Sequence, residues 1–389
     1  MKRIAVYTLG CKANQYQSFA LKCRMMDPEC RMVEFDQLAD IYVVNTCTVT
    51  EDADRKSRQA IRRALRQNPK ARVIVTGCYA KLKKEELLEL FPQIEVLEPS
   101  SLIPHPLSLI PRIRAHLMIQ DGCEHFCSYC IVPHARGKIK SKPADDVIAE
   151  AEQLILAGAR EIILTGINLG TYQYDLPEII SRLSMLEGLL RVRLSSLEPM
   201  YLNKDLIDAA ANNPKVCKHL HVPLQSGDNN ILKAMRRNYT REDYLELIHY
   251  IRGKMPGCGI TTDIIVGFPG EGEKEFHNTI DLVEQIKFSR THIFPYSKRK
   301  GTPAADFSDQ VDIIEKKRRS KILQELRLKL MREFATQYLN KEVEILAEQK
   351  GEGLTSNYIR CFFHDPADSS GQLKKILACS INDSGEIRG

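Results

Sequence analysis

The sequence predicts an α/β protein in three parts: an N-terminal parallel α/β sheet domain, a central partial (β/α)6 barrel and a small C-terminal β-barrel module. Three observations predict it. Short β-branched runs alternate with amphipathic helical patterns, as parallel sheets with crossover helices require. A proline-rich stretch near residues 92–114 interrupts that alternation. Beyond about residue 336 the pattern reverts to short strands separated by Gly, Asp and Ser.

In chain order, the runs 4–9, 41–46 and 71–76 read as strands of the first domain (1–98), with a helix over 53–66. Each run ends at a cysteine: Cys11, Cys47 and Cys78. The carboxyl ends of parallel strands share one edge, so these three are expected to converge despite their separation in sequence. Pro99, Pro104, Pro106 and Pro111 mark a linker over 99–114. Strand-like runs at 115–120, 161–165, 191–195, 219–224, 260–267 and 291–295 follow, with helical patterns at 144–157 and 241–252. They define a partial barrel (115–335), whose chemistry belongs on the loops after its strands. A charged helix over 310–338 leads to strands at 343–347, 358–363 and 375–380, the β module of residues 336–389.

Composition narrows the function classes. Of 389 residues, 43 % are apolar and 27 % charged, which excludes wholesale disorder. No apolar run is long enough to span a bilayer, so no membrane partner is expected. The opening residues enter a strand with no signal-peptide core, so the expected location is cytoplasmic. A net charge of +6 permits a nucleic-acid partner without requiring one. In a reducing compartment, clustered cysteines are read as metal ligands or reactive thiols rather than disulfides.

Of the twelve cysteines, Cys123, Cys127 and Cys130 fall within eight residues, just past the first barrel strand. Thiolates so spaced suit an iron–sulfur cluster. Three ligands leave one of four irons open, and an open position marks a catalytic metal. Structural zinc, completed by His125 or His134, is the alternative. A ferredoxin-type fourth cysteine followed by proline is missing: Ile131-Val132-Pro133 stands there. For Cys11, Cys47 and Cys78 the bland reading is three small buried hydrophobes.

The pattern Cys123-x-x-x-Cys127-x-x-Cys130 after a barrel strand resembles the radical S-adenosylmethionine enzymes. More narrowly, Thr8-Leu-Gly-Cys-Lys-Ala-Asn14, Asn45-Thr-Cys-Thr-Val-Thr50, Val75-Thr-Gly-Cys-Tyr79 and the run from Gln120 to Gly137 resemble the methylthiotransferases. So do His221-Val-Pro-Leu-Gln-Ser-Gly227, Val266-Gly-Phe-Pro-Gly-Glu271, Phe294-Pro-Tyr-Ser297 and Gly301-Thr-Pro303. The first two motifs resemble the branch acting on N6-threonylcarbamoyladenosine beside the tRNA anticodon. The resemblance implies two [4Fe-4S] clusters, one on Cys123, Cys127 and Cys130 and the other on Cys11, Cys47 and Cys78. It also implies S-adenosyl-L-methionine as cofactor, tRNA as partner and an external flavodoxin- or ferredoxin-type electron donor. Methylthiolation of another tRNA adenosine or of a ribosomal protein side chain is the near rival. An iron–sulfur or zinc RNA-binding protein is the non-enzymatic one.

Strand-end loops nominate Gly166, Asn168, Glu198 and Gln225 for cofactor contacts, although Glu198 can equally pair with an arginine. Basic clusters nominate Arg58, Arg62 and Arg136 for RNA phosphates. Within Thr355-Ser-Asn-Tyr-Ile359, which resembles the family's tRNA-binding module, Tyr358 is expected to stack on a base. Two departures from the family pattern stand out. Gln17 occupies a position normally held by Glu, and the linker is short and proline-rich.

Overall fold

The computed structural model describes residues 1–25, 28–98 and 112–389; most of the expected linker, 99–111, lies outside the described residues. Contacts divide the chain into two compact units that do not follow chain order. Residues 120–140 and 297–305 join the N-terminal region in the first unit. The remaining barrel residues and the C-terminal module form the second.

The first unit is built on a parallel sheet of order β2-β1-β3-β4-β5, comprising β1 (Lys2–Thr8), β2 (Cys30–Val33), β3 (Ile41–Thr46), β4 (Arg72–Gly77) and β5 (Ile94–Val96). Helices α1 (Lys12–Met25), α2 (Glu51–Gln67), α3 (Cys78–Leu82) and α4 (Lys84–Leu90) connect the strands. Tyr42, Val44, Val73 and Val75 pack on one face with Ile61 of α2 and Leu87 of α4. Val43 and Ile74 pack on the other with Leu21 of α1. Both central strands are therefore apolar on both faces, as buried parallel strands require. Helix α2 starts where Thr50 accepts a hydrogen bond from the Ala53 N–H at 3.1 Å, with Glu51, Asp52 and Asp54 in its positive first turn. Helix α5 (Val132–Arg136) belongs to the later segment of this unit.

In the second unit six parallel strands follow one another: β6 (Arg114–Met118), β7 (Glu161–Thr165), β8 (Arg191–Leu194), β9 (His219–His221), β10 (Gly259–Val266) and β11 (Arg290–Pro295). They form two three-stranded sheets, joined by bridges from Val192 to Val216 and from Ser196 to His221. The crossover helices are α6 (Ala144–Leu156), α7 (Leu176–Met185), α8 (Lys204–Asn212), α9 (Asn229–Ala234), α10 (Arg241–Lys254) and α11 (Glu273–Ile286), with α12 (Ile313–Thr336) behind β11. This is the partial barrel that the strand spacing predicts. Strand β9 ends earlier than its apolar run, because Pro223 has no N–H to offer a neighbour.

The C-terminal residues form a sheet of order β15-β12-β13-β14-β17-β16 from β12 (Glu342–Gln349), β13 (Glu352–Thr355), β14 (Arg360–Phe362), β15 (Leu373–Leu377), β16 (Ser380–Ile381) and β17 (Ile387–Arg388). Val343, Ile345, Cys361 and Ile387 are its core. Arginines of β8 hold it to the barrel: Arg191 donates to the Leu354 carbonyl at 2.7 Å and Arg193 to the Ser356 carbonyl at 3.0 Å.

Glu161, which is fully buried, anchors Arg193 together with Arg114 of β6. Its Oε1 accepts from Arg193 Nε at 2.7 Å and from Arg114 Nε at 2.8 Å. Burial alone would raise its pKa, but the two guanidiniums outweigh burial and hold it at about 2, against an ordinary 4.5. A depressed carboxylate stabilises the fold above its unfolded pKa and stops doing so as pH falls through its folded one. Glu161→Gln is expected to cost about 3–5 kcal/mol at pH 7 by leaving buried Arg193 without a counter-charge and Arg114 with Glu348 alone. Urea titrations followed by circular dichroism should show wild-type stability falling between pH 4.5 and about 2, with that step reduced in the variant.

Candidate active site: two cysteine trios in one unit

Strands β1, β3 and β4 are neighbours in the first sheet, so the residues after their carboxyl ends lie along one edge. Cys11, Cys47 and Cys78 occupy that edge. Gly10 has φ +100°, and a Cβ there would lie 3.0 Å from Cys47 Sγ, so the turn after β1 runs directly against Cys47. Gly77 has φ +95°, and a Cβ would meet the Thr46 carbonyl at 2.3 Å; only glycine lets β4 turn into α3 here. The thiols lie close enough to act on one another. The Cys47 pKa is pushed up to about 11, first by burial and then by Cys78 and Cys11. Cys78 is also raised, mainly by burial.

A side-chain lattice fixes this edge. Asn14 Nδ2 donates to the Leu9 carbonyl at 2.7 Å and to the Thr46 carbonyl at 3.0 Å. Asn45 Nδ2 donates to the Asn14 carbonyl at 2.9 Å, and Thr46 Oγ1 to the Thr76 carbonyl at 2.6 Å. The Ser57 hydroxyl of α2 donates to the Cys47 carbonyl at 3.2 Å.

The second trio, Cys123, Cys127 and Cys130, is carried by the segment 120–140 of the same unit. Its loop closes through Cys123 N–H to the Gly137 carbonyl at 3.1 Å and Cys130 N–H to the Cys127 carbonyl at 3.0 Å. Helix α5 follows and ends in Arg136, whose side chain is 3 % exposed. Arg136 Nε donates to Cys78 Sγ at 3.2 Å, Nη1 to the Asp121 carboxylate at 3.2 Å and Nη2 to Asn14 Oδ1. One guanidinium thus joins the loop of the second trio to a cysteine of the first. A second buried arginine, Arg299, donates to Asp54 Oδ2 at 2.6 Å and Thr48 Oγ1 at 2.8 Å. Beside it the Ala304 N–H donates to the Ser128 carbonyl at 2.8 Å, inside the second cysteine loop.

The donor sets fit clusters better than a single ion. Thiolates on one tetrahedral zinc, each about 2.3 Å from the metal, lie within about 4 Å of one another. Among the described residues neither cysteine trio gathers within 4.8 Å. Wider spacing suits thiolates that each bind a different iron. Buried Gln17 Oε1, Asn45 Oδ1 and Thr76 Oγ1 have no hydrogen-bond partner in this unit, leaving acceptors unsatisfied near the strand ends. At position 17 a neutral amide leaves less to desolvate than a carboxylate would.

The remaining expected site residues fall in several settings. Gly166 and Asn168 follow β7, and Asn168 is 3 % exposed. Glu198, after β8, is ion-paired with Arg237. Gln225 has φ +66° and its N–H donates to the Asp263 carbonyl at 2.8 Å. On α2, Arg58 donates to the Tyr79 hydroxyl at 2.7 Å, while exposed Arg62 lies over the Phe91 ring.

Of the residues expected to meet RNA, Arg136 needs correction and Tyr358 already has a partner in the fold. Arg136 is not a surface cation: its guanidinium is buried among Cys78, Asn14 and Asp121. Tyr358 is stacked on His219 with ring centroids 4.3 Å apart, and the Arg193 guanidinium lies 5.0 Å from its ring, so that ring is engaged inside the second unit. The site role of Arg136 was legible only as membership in the motif from Gln120 to Gly137. Arg299 lay in a basic run with no signal to set it apart.

No described helix is long and apolar enough to cross a membrane. A family model described as the radical SAM superfamily matches residues 117–283, and one described as uncharacterized protein family UPF0004 matches residues 3–98. The structure superposes on a radical S-adenosylmethionine methyltransferase, TsrM from Kitasatospora setae, with a TM-score of 0.58 at 14 % identity over 78 % of this chain and 77 % of that one. Fold and matched domain define the class as radical SAM. The chain is 38 % identical to the threonylcarbamoyladenosine tRNA methylthiotransferase MtaB of Bacillus subtilis, over 97 % of this chain and 93 % of that protein. Its identity to the MtaB of Aquifex aeolicus is 35 %, over 92 % and 95 %. A tRNA-2-methylthio-N(6)-dimethylallyladenosine synthase from Carboxydothermus hydrogenoformans is 34 % identical, over 96 % of each. The chain belongs to the radical SAM methylthiotransferase family, in its MtaB branch.

Arg136→Met removes every donor that Asp121 and Asn14 Oδ1 receive from this guanidinium. It should lower the unfolding free energy of the metal-free protein by about 2–4 kcal/mol in urea titrations, with Arg136→Lys recovering part of the loss.

Proposed function

We propose that this chain installs a methylthio group on C2 of N6-threonylcarbamoyladenosine next to a tRNA anticodon. The observation that carries the reading is the gathering of six cysteines from four separate stretches of sequence into one compact unit, with Arg136 between the trios. Cys11, Cys47 and Cys78 would hold one [4Fe-4S] cluster, and Cys123, Cys127 and Cys130 the other. An aromatic C–H bond resists acid–base chemistry, and the bound clusters with S-adenosylmethionine supply the radical chemistry that side chains lack.

The protein's share is binding, orientation and charge. Arg136 offsets negative charge at Cys78, where burial disfavours a thiolate. Asn14, Asn45 and Thr46 hold the three strand ends in register, so the trio is set before any metal arrives. Gly166, Asn168, Glu198 and Gln225, after successive barrel strands, are the cofactor-binding set. Arg58 and Arg62 on α2 are the phosphate contacts; Arg136, buried among its partners, is not one. A flavodoxin- or ferredoxin-type protein supplies electrons, and the reaction belongs in the cytoplasm, where tRNA is available.

Cys127→Ala should abolish release of 5′-deoxyadenosine from S-adenosylmethionine. Cys47→Ala should retain part of that cleavage yet form no methylthio nucleoside. Chromatography of the reaction separates these outcomes, and cofactor cleavage by the Cys127 variant would overturn the assignment. Mass spectrometry of tRNA nucleosides from a deletion strain should show loss of the 2-methylthio derivative. An unchanged nucleoside profile would refute the substrate.

A further inference from the structure

The interior of the second unit is polar where a (β/α) barrel is ordinarily filled with branched apolar side chains. Side chains alternate along a strand, and Thr262 of β10 bonds to the backbone of Val222 and Leu224. Thr261, Asp263 and Ile265 therefore lie on the opposite, interior face. Register pairs Asp263 with His292 and Ile265 with Phe294 on β11, and Thr261 with His221 on β9. Asp263 Oδ1 lies 3.0 Å from His292 Nδ1, and its Oδ2 lies 3.3 Å from His221 Nε2. The other ring nitrogen of His221 is fixed by Thr261 Oγ1 at 2.9 Å.

This layer is polar and also open. The side chains of Asp263 and His292 are 27 % and 44 % exposed, and Phe294, one step nearer the carboxyl ends, is 42 % exposed. Burial works against ionisation of Asp263, but hydrogen bonds from both histidines outweigh it and hold the carboxyl below its usual range. A charged, partly hydrated layer inside a barrel is costly unless a ligand uses it.

We propose that His221, Asp263, His292 and Phe294 form the pocket that reads the N6 substituent of the target adenosine. This rests on the substrate class proposed above. A threonylcarbamoyl group offers urea N–H donors, which suit an ionised carboxylate, and its own carboxylate, which suits the outer ring nitrogen of His292 as donor, the inner one being held by Asp263. Phe294 offers a ring on which a purine stacks. A dimethylallyl group is hydrocarbon and would strip water from Asp263 and both histidines without replacing one hydrogen bond. The pocket thus separates the two substrates named among the relatives of comparable identity.

The experiment compares reconstituted wild type, His292→Phe, His292→Gln and Asp263→Asn on anticodon stem-loop RNAs. These carry threonylcarbamoyladenosine, dimethylallyladenosine or plain adenosine. Cluster absorbance and circular dichroism establish that each variant is loaded and folded. Wild type should prefer the threonylcarbamoyl RNA. His292→Phe and Asp263→Asn should raise its KM about 10- to 100-fold, with kcat falling less, and His292→Gln should recover part of the loss. Variants that keep the wild-type preference would overturn the assignment while leaving the proposed reaction standing. One zinc per wild-type chain, lost in His292→Phe, would also overturn it in favour of a metal site. Wild type that modifies none of the threonylcarbamoyl RNA would sink both.

Discussion

A guanidinium buried against a thiol is the contact on which the first unit depends. Burying an arginine is costly unless its N–H groups find acceptors, and Arg136 finds three from different parts of the chain: Cys78 Sγ, Asn14 Oδ1 and Asp121. Each acceptor is tied to the cysteine chemistry. Cys78 is a candidate ligand, Asn14 braces the strand ends, and Asp121 opens the second cysteine loop. Burial pushes Cys78 and Cys47 toward the neutral thiol, whereas metal ligation needs the thiolate. A fixed positive charge nearby narrows that gap without a mobile counterion.

Backbone rules account for how distant residues come to share this place. Parallel order puts the ends of β1, β3 and β4 side by side, and Gly10 and Gly77 carry the left-handed backbone that turns each chain sharply past its neighbour. The asparagine and threonine side chains then satisfy carbonyls that the ladder leaves over at the strand ends. Cysteines could sit elsewhere on these loops with little effect on the sheet, but not without losing this braced arrangement.

Much of this was legible in the primary structure. The six barrel strands fall where β-branched runs lie, because buried parallel strands have few other compositions available. The convergence of Cys11, Cys47 and Cys78 was readable from strand-end placement alone. What escaped reading were long-range partners. Arg136 looks like any basic residue beside Lys138 and Lys140; only the folded chain shows that it points inward to a thiol. Tyr358 looks like an exposed stacking residue in a loop, yet His219, 139 positions earlier, claims one face of its ring. The trio His221, Asp263 and His292 comes from three strands, and no local spacing announces it.

The arginines of β8 reach past the barrel to the main-chain carbonyls of Leu354 and Ser356, and Tyr358 lies against His219 within the same unit. The terminal sheet therefore acts as a floor to the barrel. Trimming it to probe nucleic-acid affinity would also unseat Arg191 and Arg193 and admit solvent to Glu161. A truncated enzyme that fails on tRNA would then be reporting a broken scaffold, not a lost grip on the nucleic acid.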